Sequence, residues 1–205
     1  INWIGKTEYN EAKLNCYVGV SVTGDDVSFD LASAPHLLVG GTTNSGKSVC
    51  LHSIILSLLL KHKPENLQLG LIDPKRVEFS SYAKLKNIYE GSIVTEVPAA
   101  KELLTTLVGE MDSRYAMFES INASNIAEAR AKGKKLPFIV LFIEEMADLV
   151  LQDKNRNVAL NLFNPNARID TDIITKDVVG RAGGELRGER AVVIGDFVKH
   201  CLILE

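Results

Sequence analysis

The residues best suited to chemistry form one short glycine-bounded run. In chain order they are Gly41, Thr42, Thr43, Asn44, Ser45, Gly46, Lys47 and Ser48, with Val49 next. Glycine lets a backbone curl until successive N–H groups point inward, and such a concave row of donors binds phosphate. Lys47 adds a point charge for the β- and γ-phosphates, and the Ser48 hydroxyl can ligate Mg²⁺. The spacing therefore predicts the phosphate-binding loop of a nucleoside triphosphatase.

Two acidic residues form the second candidate group. Glu144 and Glu145 end an apolar run that starts near Leu136. A buried parallel strand delivers its C-terminal residues to the sheet edge where a phosphate loop also lies. There one carboxylate can hold Mg²⁺ and another can polarise the attacking water. Because strand neighbours point to opposite sides, we expect Glu144 and Glu145 to have different roles.

The elements that must position these residues are visible as apolar runs. Residues 36–40 predict a strand before the loop, residues 49–60 a buried helix after it, and residues 67–73 the next strand. Strands that alternate with helices predict an α/β fold with a mainly parallel sheet and helices on both faces. Residues 16–31 alternate around a Thr-Gly-Asp-Asp turn, so a small N-terminal β-hairpin is expected within residues 1–33, packed on the core.

The clearest predicted helix runs from Pro98 to about residue 121. Its apolar stripe is expected at spacings of three and four, from Leu104, Leu107, Met111, Tyr115 and Phe118. Arg114 is expected on a different face. The following segment, residues 122–135, is polar and is expected to be either a solvated loop or a contact to a phosphate backbone through Arg130, Lys132, Lys134 and Lys135.

Composition sets the class of protein. The 205 residues are expected to form one domain, and a net charge of −3 requires any nucleic-acid contact to come from a local basic surface. Cys16, Cys50 and Cys201 lack the spacing of a disulfide framework or a zinc site. A reducing cytoplasm is the location expected for this cysteine pattern. No apolar run is long enough to cross a bilayer, and no signal peptide is expected. Since residue 1 is Ile, the chain is expected to be a fragment, with any membrane tether outside it.

Four motifs in order resemble the FtsK/SpoIIIE-type DNA translocases. They are Ala34-Pro35-His36-Leu37-Leu38 up to the phosphate loop, Ile72-Asp73-Pro74-Lys75, Glu110-Met111-Asp112-Ser113-Arg114-Tyr115, and Leu136-Pro137 through Glu145-Met146-Ala147-Asp148-Leu149. The resemblance covers about residues 18–151. It implies a RecA-like core, ATP and Mg²⁺ as cofactors, a ring of six subunits that hydrolyses ATP between neighbours, and double-stranded DNA as the partner.

The resemblance also implies roles for single residues. Lys47 and Ser48 would bind phosphate and Mg²⁺, Glu144 would take the metal-binding acid position, and Glu145 would activate water. An arginine from the next subunit is expected to complete the site, since charge develops on the γ-phosphate. Candidates are Arg114 and Arg168 first, then Arg181, Arg187 and Arg190.

The chain departs from the family pattern at three places. Asn44 replaces a glycine, which is tolerable because Asn readily adopts positive φ. Glu144 replaces an aspartate. The strand that carries the family's polar sensor has no counterpart, and an excised or disordered segment near residues 153–157 is the expected explanation, because a missing inner strand would leave unpaired backbone groups.

Three other functions stay open at this stage. A conjugative coupling ATPase passes DNA between cells with a related motor, and only flanking domains would distinguish it. A type VII secretion-like ATPase moves proteins, although the Asp-Pro-Lys and Glu-Met-x-x-Arg-Tyr matches favour the DNA branch. A nucleotide-binding assembly module with weak hydrolysis is the third.

Overall fold

The computed structural model describes residue 10 and residues 13–33, 36–40, 45–145, 149 and 198–204. The α-helices and strands of this part of the chain are β1 (Asn15–Val20), β2 (Asp26–Asp30), β3 (His36–Gly40), α1 (Lys47–Leu59), β4 (Leu67–Ile72), α2 (Val97–Ser120), α3 (Ile126–Ala131), β5 (Phe138–Ile143) and β6 (Val198–Leu204). Short 3₁₀ turns occupy Leu31–Ser33, Ser80–Tyr82 and Tyr89–Gly91.

The central sheet has four strands in the order β3-β6-β5-β4. β4 and β5 pair in parallel, whereas β6 is antiparallel to both of its neighbours. β3, β5 and β4 therefore run in the same direction, which confirms the prediction of a mainly parallel sheet. Because β3 and β5 share a direction, the residues that follow them leave the sheet at the same edge.

Helices cover the two faces of the sheet, as predicted. Successive side chains of a strand point to opposite faces of the sheet. Because β4 and β5 are buried on both faces, their alternate residues enter two separate cores. One core contains Leu51, Ile54, Ile55 and Leu58 of α1 with Leu69, Leu71, Val140 and Phe142. The other contains Leu103, Leu104, Leu107 and Met111 of α2 with Ile72, Ile139, Leu141 and Ile143.

The N-terminal strands β1 and β2 form an antiparallel hairpin, as the alternating pattern predicted. The hairpin contacts helix α1 through buried hydrogen bonds. Tyr17 N donates to Ser57 Oγ at 3.0 Å, and Ser53 Oγ donates to Tyr17 O at 2.9 Å. The serines of α1 thus satisfy backbone groups of β1.

Helix α2 corrects two expectations about its faces. Tyr115 is 54% exposed, whereas Arg114 is 2% exposed and lies among the apolar residues. The buried series is Leu104, Leu107, Met111, Arg114 and Phe118, whose spacings alternate regularly between three and four. The predicted stripe was wrong at Tyr115 because Arg114 and Tyr115 both fit the spacing of three or four after Met111, and the aromatic residue was preferred to the arginine.

Helix α3 lies in the segment that was expected to be a loop. Its first turn is capped by Asn125, whose Oδ1 accepts from Glu128 N at 2.9 Å, and Glu128 Oε2 accepts from Ser124 N at 2.8 Å. The arrangement is a variant of the capping box, because the Glu128 carboxylate accepts from the N–H one residue before the N-cap, and the Asn-x-x-Glu spacing is its signal in the sequence.

The inner position between β3 and β5 is taken by β6. β6 pairs with β3 from His36–Leu202 to Gly40–Val198. On its other side it pairs with β5 from Ile139–Leu204 to Ile143–His200. Backbone pairing at this position is therefore supplied by an antiparallel strand from the end of the chain. The expected excised segment near residues 153–157 lies outside the described residues. Within the described part of the chain, no helix combines the length and apolar character needed to span a membrane.

Candidate nucleotide site

The phosphate loop enters helix α1 through a left-handed glycine. Gly46 has φ +91°, which a glycine adopts without steric cost, and α1 begins at Lys47. Cys50 N donates to Gly46 O at 2.9 Å, so the first turn of the helix is formed there. Lys47 and Ser48 thus stand at the positive end of the helix, at the sheet edge where β3 ends. Residues 41–44, including Asn44, lie outside the described residues.

Ser48 contacts a carboxylate that the sequence did not single out. Ser48 Oγ donates to Glu78 Oε1 at 2.7 Å. The other oxygen, Glu78 Oε2, lies 3.2 Å from Nε2 of His52, one helical turn after Ser48. His52 Nδ1 lies 2.6 Å from Tyr82 Oη. Burial, and secondly the charge of Glu78, raise the pKa of Tyr82, so its hydroxyl keeps its proton at neutral pH.

Glu144 and Glu145 reach the same sheet edge, since β5 ends at Ile143. Glu144 N donates to Ile72 O at 2.9 Å, which extends the pairing with β4 by one step. Glu145 has φ +52°, so the backbone turns away from strand geometry there. Strand alternation does not apply to the two acids, because both residues lie beyond β5. Their different roles stay a prediction.

Both acids are buried, with exposures of 6% for Glu144 and 8% for Glu145. Glu145 Oε2 lies 3.5 Å from Lys75 Nζ. Among the described residues no hydrogen-bond donor reaches Glu145 Oε1, although it is inaccessible to solvent. A buried carboxylate oxygen in this condition is costly unless a cation or a bound molecule satisfies it.

Asp73 organises the segment that links the two halves of the site. Its Oδ2 accepts from Phe79 N at 3.0 Å, and its backbone O accepts from Arg76 N at 3.1 Å. These bonds fold residues 73–79 into a compact loop after β4. The loop carries Lys75 to Glu145 and Glu78 to Ser48, so the Asp-Pro-Lys motif has a structural meaning that the sequence alone did not show.

The basic residues before β5 lie at the opposite edge of the sheet, where β5 begins. Arg130 Nε donates to Leu136 O at 2.8 Å, and its guanidinium stacks 4.6 Å from the Phe138 ring centroid. Lys132 Nζ donates to Ile121 O and Asn122 O at 2.7 and 2.6 Å. These two cations therefore contribute to local structure. Lys132, Lys134 and Lys135 are all exposed. The expected contact of this segment to a phosphate backbone stays a prediction.

The first candidate for an arginine acting across subunits is held inside its own fold. Arg114 Nε donates to Glu110 Oε1 and Nη1 donates to Pro137 O, each at 2.7 Å. A buried guanidinium with these partners favours a structural role for Arg114, and its action across subunits stays a prediction. Arg168, Arg181, Arg187 and Arg190 lie outside the described residues.

Comparison with known proteins gives a consistent family. The FtsK/SpoIIIE family model matches residues 2–136. The chain is 34% identical to DNA translocase FtsK 2 of Neisseria meningitidis, with 81% of this chain and 20% of that protein covered. Identity is 41% with DNA translocase FtsK of Clostridium tetani (77% and 24% covered) and 37% with DNA translocase SpoIIIE of Bacillus subtilis (80% and 24% covered). The chain thus spans a fifth to a quarter of the length of these relatives.

Solved structures agree on the fold. The pCW3 conjugation coupling protein TcpA, in its monomer form with ATPγS, is similar at 25% identity with a TM-score of 0.56, over 78% of this chain and 44% of that one. The cytoplasmic domain of the type VII secretion ATPase EccC of Thermomonospora curvata is similar at 25% identity with a TM-score of 0.64, over 78% and 20%. With the family model covering well over half of its length, the chain belongs to the FtsK/SpoIIIE family.

Proposed function

We propose that the chain is the ATP-hydrolysing motor of a double-stranded DNA translocase. The observation that carries the proposal is topological: the helix that begins with Lys47 and Ser48 follows β3, the buried acids Glu144 and Glu145 follow β5, and both strands end at one edge of a mainly parallel sheet. The names of the sequence relatives support DNA as the substrate, at higher identity than the coupling protein or the secretion ATPase.

ATP is the proposed nucleotide, and TcpA, which is similar in fold, is described with ATPγS. The donor set also fits Mg²⁺, which prefers oxygen ligands. The site has a hydroxyl at Ser48, carboxylates at Glu144 and Glu145, and a buried Glu145 Oε1 that lacks a hydrogen-bond partner within the described residues. Ser48 and Glu144 would hold the ion. Once bound, Mg²⁺ would neutralise charge on the β- and γ-phosphates.

The chain's own residues would divide the remaining work. Lys47 supplies a positive charge at the helix terminus, where backbone N–H groups also face the phosphates. Glu145 would accept a proton from the water that attacks the γ-phosphorus, a role that its burial beside Lys75 supports, because the carboxylate is held in one place. Closure of the site around nucleotide would exclude bulk water and strengthen these charges.

Assembly into a ring of six subunits is part of the proposal. Arg114, which lies within the Glu-Met-x-x-Arg-Tyr motif, is hydrogen-bonded to Glu110 and Pro137 of its own chain. The charge on the transferred phosphate would therefore need an arginine from elsewhere, with Arg168 the first candidate and Arg181, Arg187 and Arg190 the others. Double-stranded DNA would pass through the ring. Because ATP is a cytoplasmic metabolite, we propose that the motor works in that compartment.

ATP turnover with and without duplex DNA tests the proposal. Wild type should hydrolyse ATP faster with DNA, and Lys47→Ala should abolish both rates. Hydrolysis that ignores DNA in a confirmed ring would favour protein export, and nucleotide binding without turnover would favour an assembly module. A coupling protein would pass this assay, and its flanking domains would be needed to identify it.

A further inference from the structure

Glu78 lies where a carboxylate can control the metal-binding hydroxyl. It belongs to the loop of residues 73–79, which follows β4 and is closed by the bond from Phe79 N to Asp73 Oδ2. Phe79 is completely buried, so the residue after Glu78 is anchored in the core. Glu78 is therefore presented to α1 by a fixed backbone and not by a freely moving loop.

Both oxygens of Glu78 are engaged by residues of α1. Glu78 Oε1 accepts a hydrogen bond from Ser48 Oγ at 2.7 Å, and Glu78 Oε2 lies 3.2 Å from His52 Nε2. The opposite nitrogen of His52 contacts Tyr82 Oη at 2.6 Å, which holds the imidazole ring in place from the far side. The side chain of Glu78 is 24% exposed, so the contact is partly shielded from water.

A serine that ligates a cation uses a lone pair of its oxygen, and it has one proton that needs an acceptor. A hydrogen-bond acceptor behind the serine fixes the rotation of its hydroxyl group and directs the oxygen lone pair toward the cation. It also makes the oxygen a better electron-pair donor to the cation. A carboxylate does this more strongly than a neutral group, because the hydrogen bond is charge-assisted. In this structure Glu78 supplies that acceptor.

We propose that Glu78 is a positioning residue that orients Ser48 toward the Mg²⁺ of bound nucleotide. The inference rests on the proposed nucleotide site. A fixed negative charge beside a phosphate cradle repels a polyphosphate that arrives without its cation, and it attracts the cation itself. Glu78 should thus have opposite effects on metal-free and metal-bound nucleotide, and this sign difference separates a positioning role from simple support of the fold.

The test uses Glu78→Gln, which keeps an acceptor oxygen and removes the charge. A fluorescent ATP analogue is titrated in excess EDTA, and Mn²⁺ affinity is then measured by electron paramagnetic resonance at saturating nucleotide. We expect Mn²⁺ binding about tenfold weaker than in wild type, a typical loss when a group behind a metal ligand is removed. Metal-free nucleotide should bind equally well or more tightly.

Two further variants make the result decisive. Glu78→Asp keeps the charge but shortens the reach, and it should lie between wild type and Glu78→Gln in Mn²⁺ affinity. Glu119→Gln removes the same charge from an exposed position at the far end of α2 and should change neither affinity. Thermal unfolding of each variant shows whether the fold is intact.

Parallel weakening of metal-free and metal-bound nucleotide by Glu78→Gln would reduce Glu78 to a structural role and overturn the inference. Unchanged Mn²⁺ affinity in a folded Glu78→Gln protein would do the same. The proposed function fails separately, when wild type itself binds no metal-nucleotide.

Discussion

At the scale of single residues, replacing Lys47 should weaken nucleotide binding, whereas replacing Glu145 should slow hydrolysis. Lys47→Ala removes a charge from the phosphates, and nucleotide affinity should fall by about tenfold or more, as expected for the loss of a charged hydrogen bond of roughly 1.5–3 kcal/mol. Glu145→Gln keeps the size of the side chain and removes the base, so binding should persist while turnover falls about 100-fold or more. Equilibrium binding and steady-state turnover on both variants measure this.

Glu144→Gln serves as the comparison for Glu145→Gln. It should weaken Mg²⁺-dependent nucleotide binding, because Glu144 is the proposed metal ligand. A Glu145→Gln protein that hydrolyses ATP at the wild-type rate, next to an inactive Glu144→Gln protein, would show that the two acids have been assigned in the wrong order.

At the scale of elements, Arg114 joins helix α2 to the start of β5. Arg114→Met keeps much of the apolar stem but leaves the Pro137 carbonyl without its bond from Nη1. An unsatisfied buried polar group costs about 1–3 kcal/mol, so the free energy of unfolding should fall by that amount. Urea denaturation checks the change.

The adjacent residue supplies a matched control for Arg114. Tyr115 is exposed on the same helix, so Tyr115→Ala should cost about 0.5 kcal/mol or less. If Arg114→Met were as stable as wild type, inactive by itself and partly active when mixed with Lys47→Ala subunits, Arg114 would act across the interface after all.

Cys16 reports on the contact between the hairpin and α1. It is fully buried in β1, and burial raises the pKa of its thiol, with a smaller opposing effect from Lys61. The native state then keeps the proton while the unfolded state releases it above the ordinary thiol pKa of about 8.5. Stability should therefore fall between about pH 8.5 and 10, by up to about 1.4 kcal/mol per pH unit for this group.

Urea denaturation at several pH values measures the slope for Cys16. Cys16→Ala should be less stable throughout, but its stability should decline less steeply with pH. Cys50→Ala is the comparison, because the pKa of the half-buried Cys50 thiol is also raised by burial and its removal should change the slope less. Equal slopes for wild type and Cys16→Ala would contradict the prediction.

At the scale of the whole molecule, DNA must be attracted by a local patch on a chain of net charge −3. Lys134 and Lys135 are adjacent exposed cations of the segment before β5, whereas the exposed Lys132 donates to Ile121 O and Asn122 O. If each contacts a phosphate, replacing both with Ala should reduce the slope of log affinity against log salt by about 0.9 per contact. Basal ATP turnover should not change, since the segment lies at the sheet edge away from Ser48 and Glu145.

The double variant Lys84→Ala and Lys86→Ala removes the same charge from another exposed segment and controls for net charge. Duplex binding at several salt concentrations would be measured for both proteins. An unchanged salt slope for the Lys134 and Lys135 variant would identify the segment as an ordinary solvated loop.

The sequence by itself determined the order of the elements and the chemistry of the principal site. Glycine and lysine spacing predicted the phosphate loop, apolar runs predicted buried strands before and after it, and Glu144 and Glu145 marked the end of β5. These features are local, because turn chemistry, charge and burial of continuous runs are written in neighbouring residues.

Only the tertiary structure decided which distant groups meet. Glu78 follows Ser48 by 30 residues, and their hydrogen bond depends on the loop that Asp73 closes after β4. Arg114 can be buried because the carbonyl of Pro137, before β5, accepts a hydrogen bond from its Nη1. The residue pattern within α2 does not indicate this partner. β6 comes from the end of the chain to pair between β3 and β5. Such contacts are set by packing across the sheet, and periodicity along the chain carries no information about them.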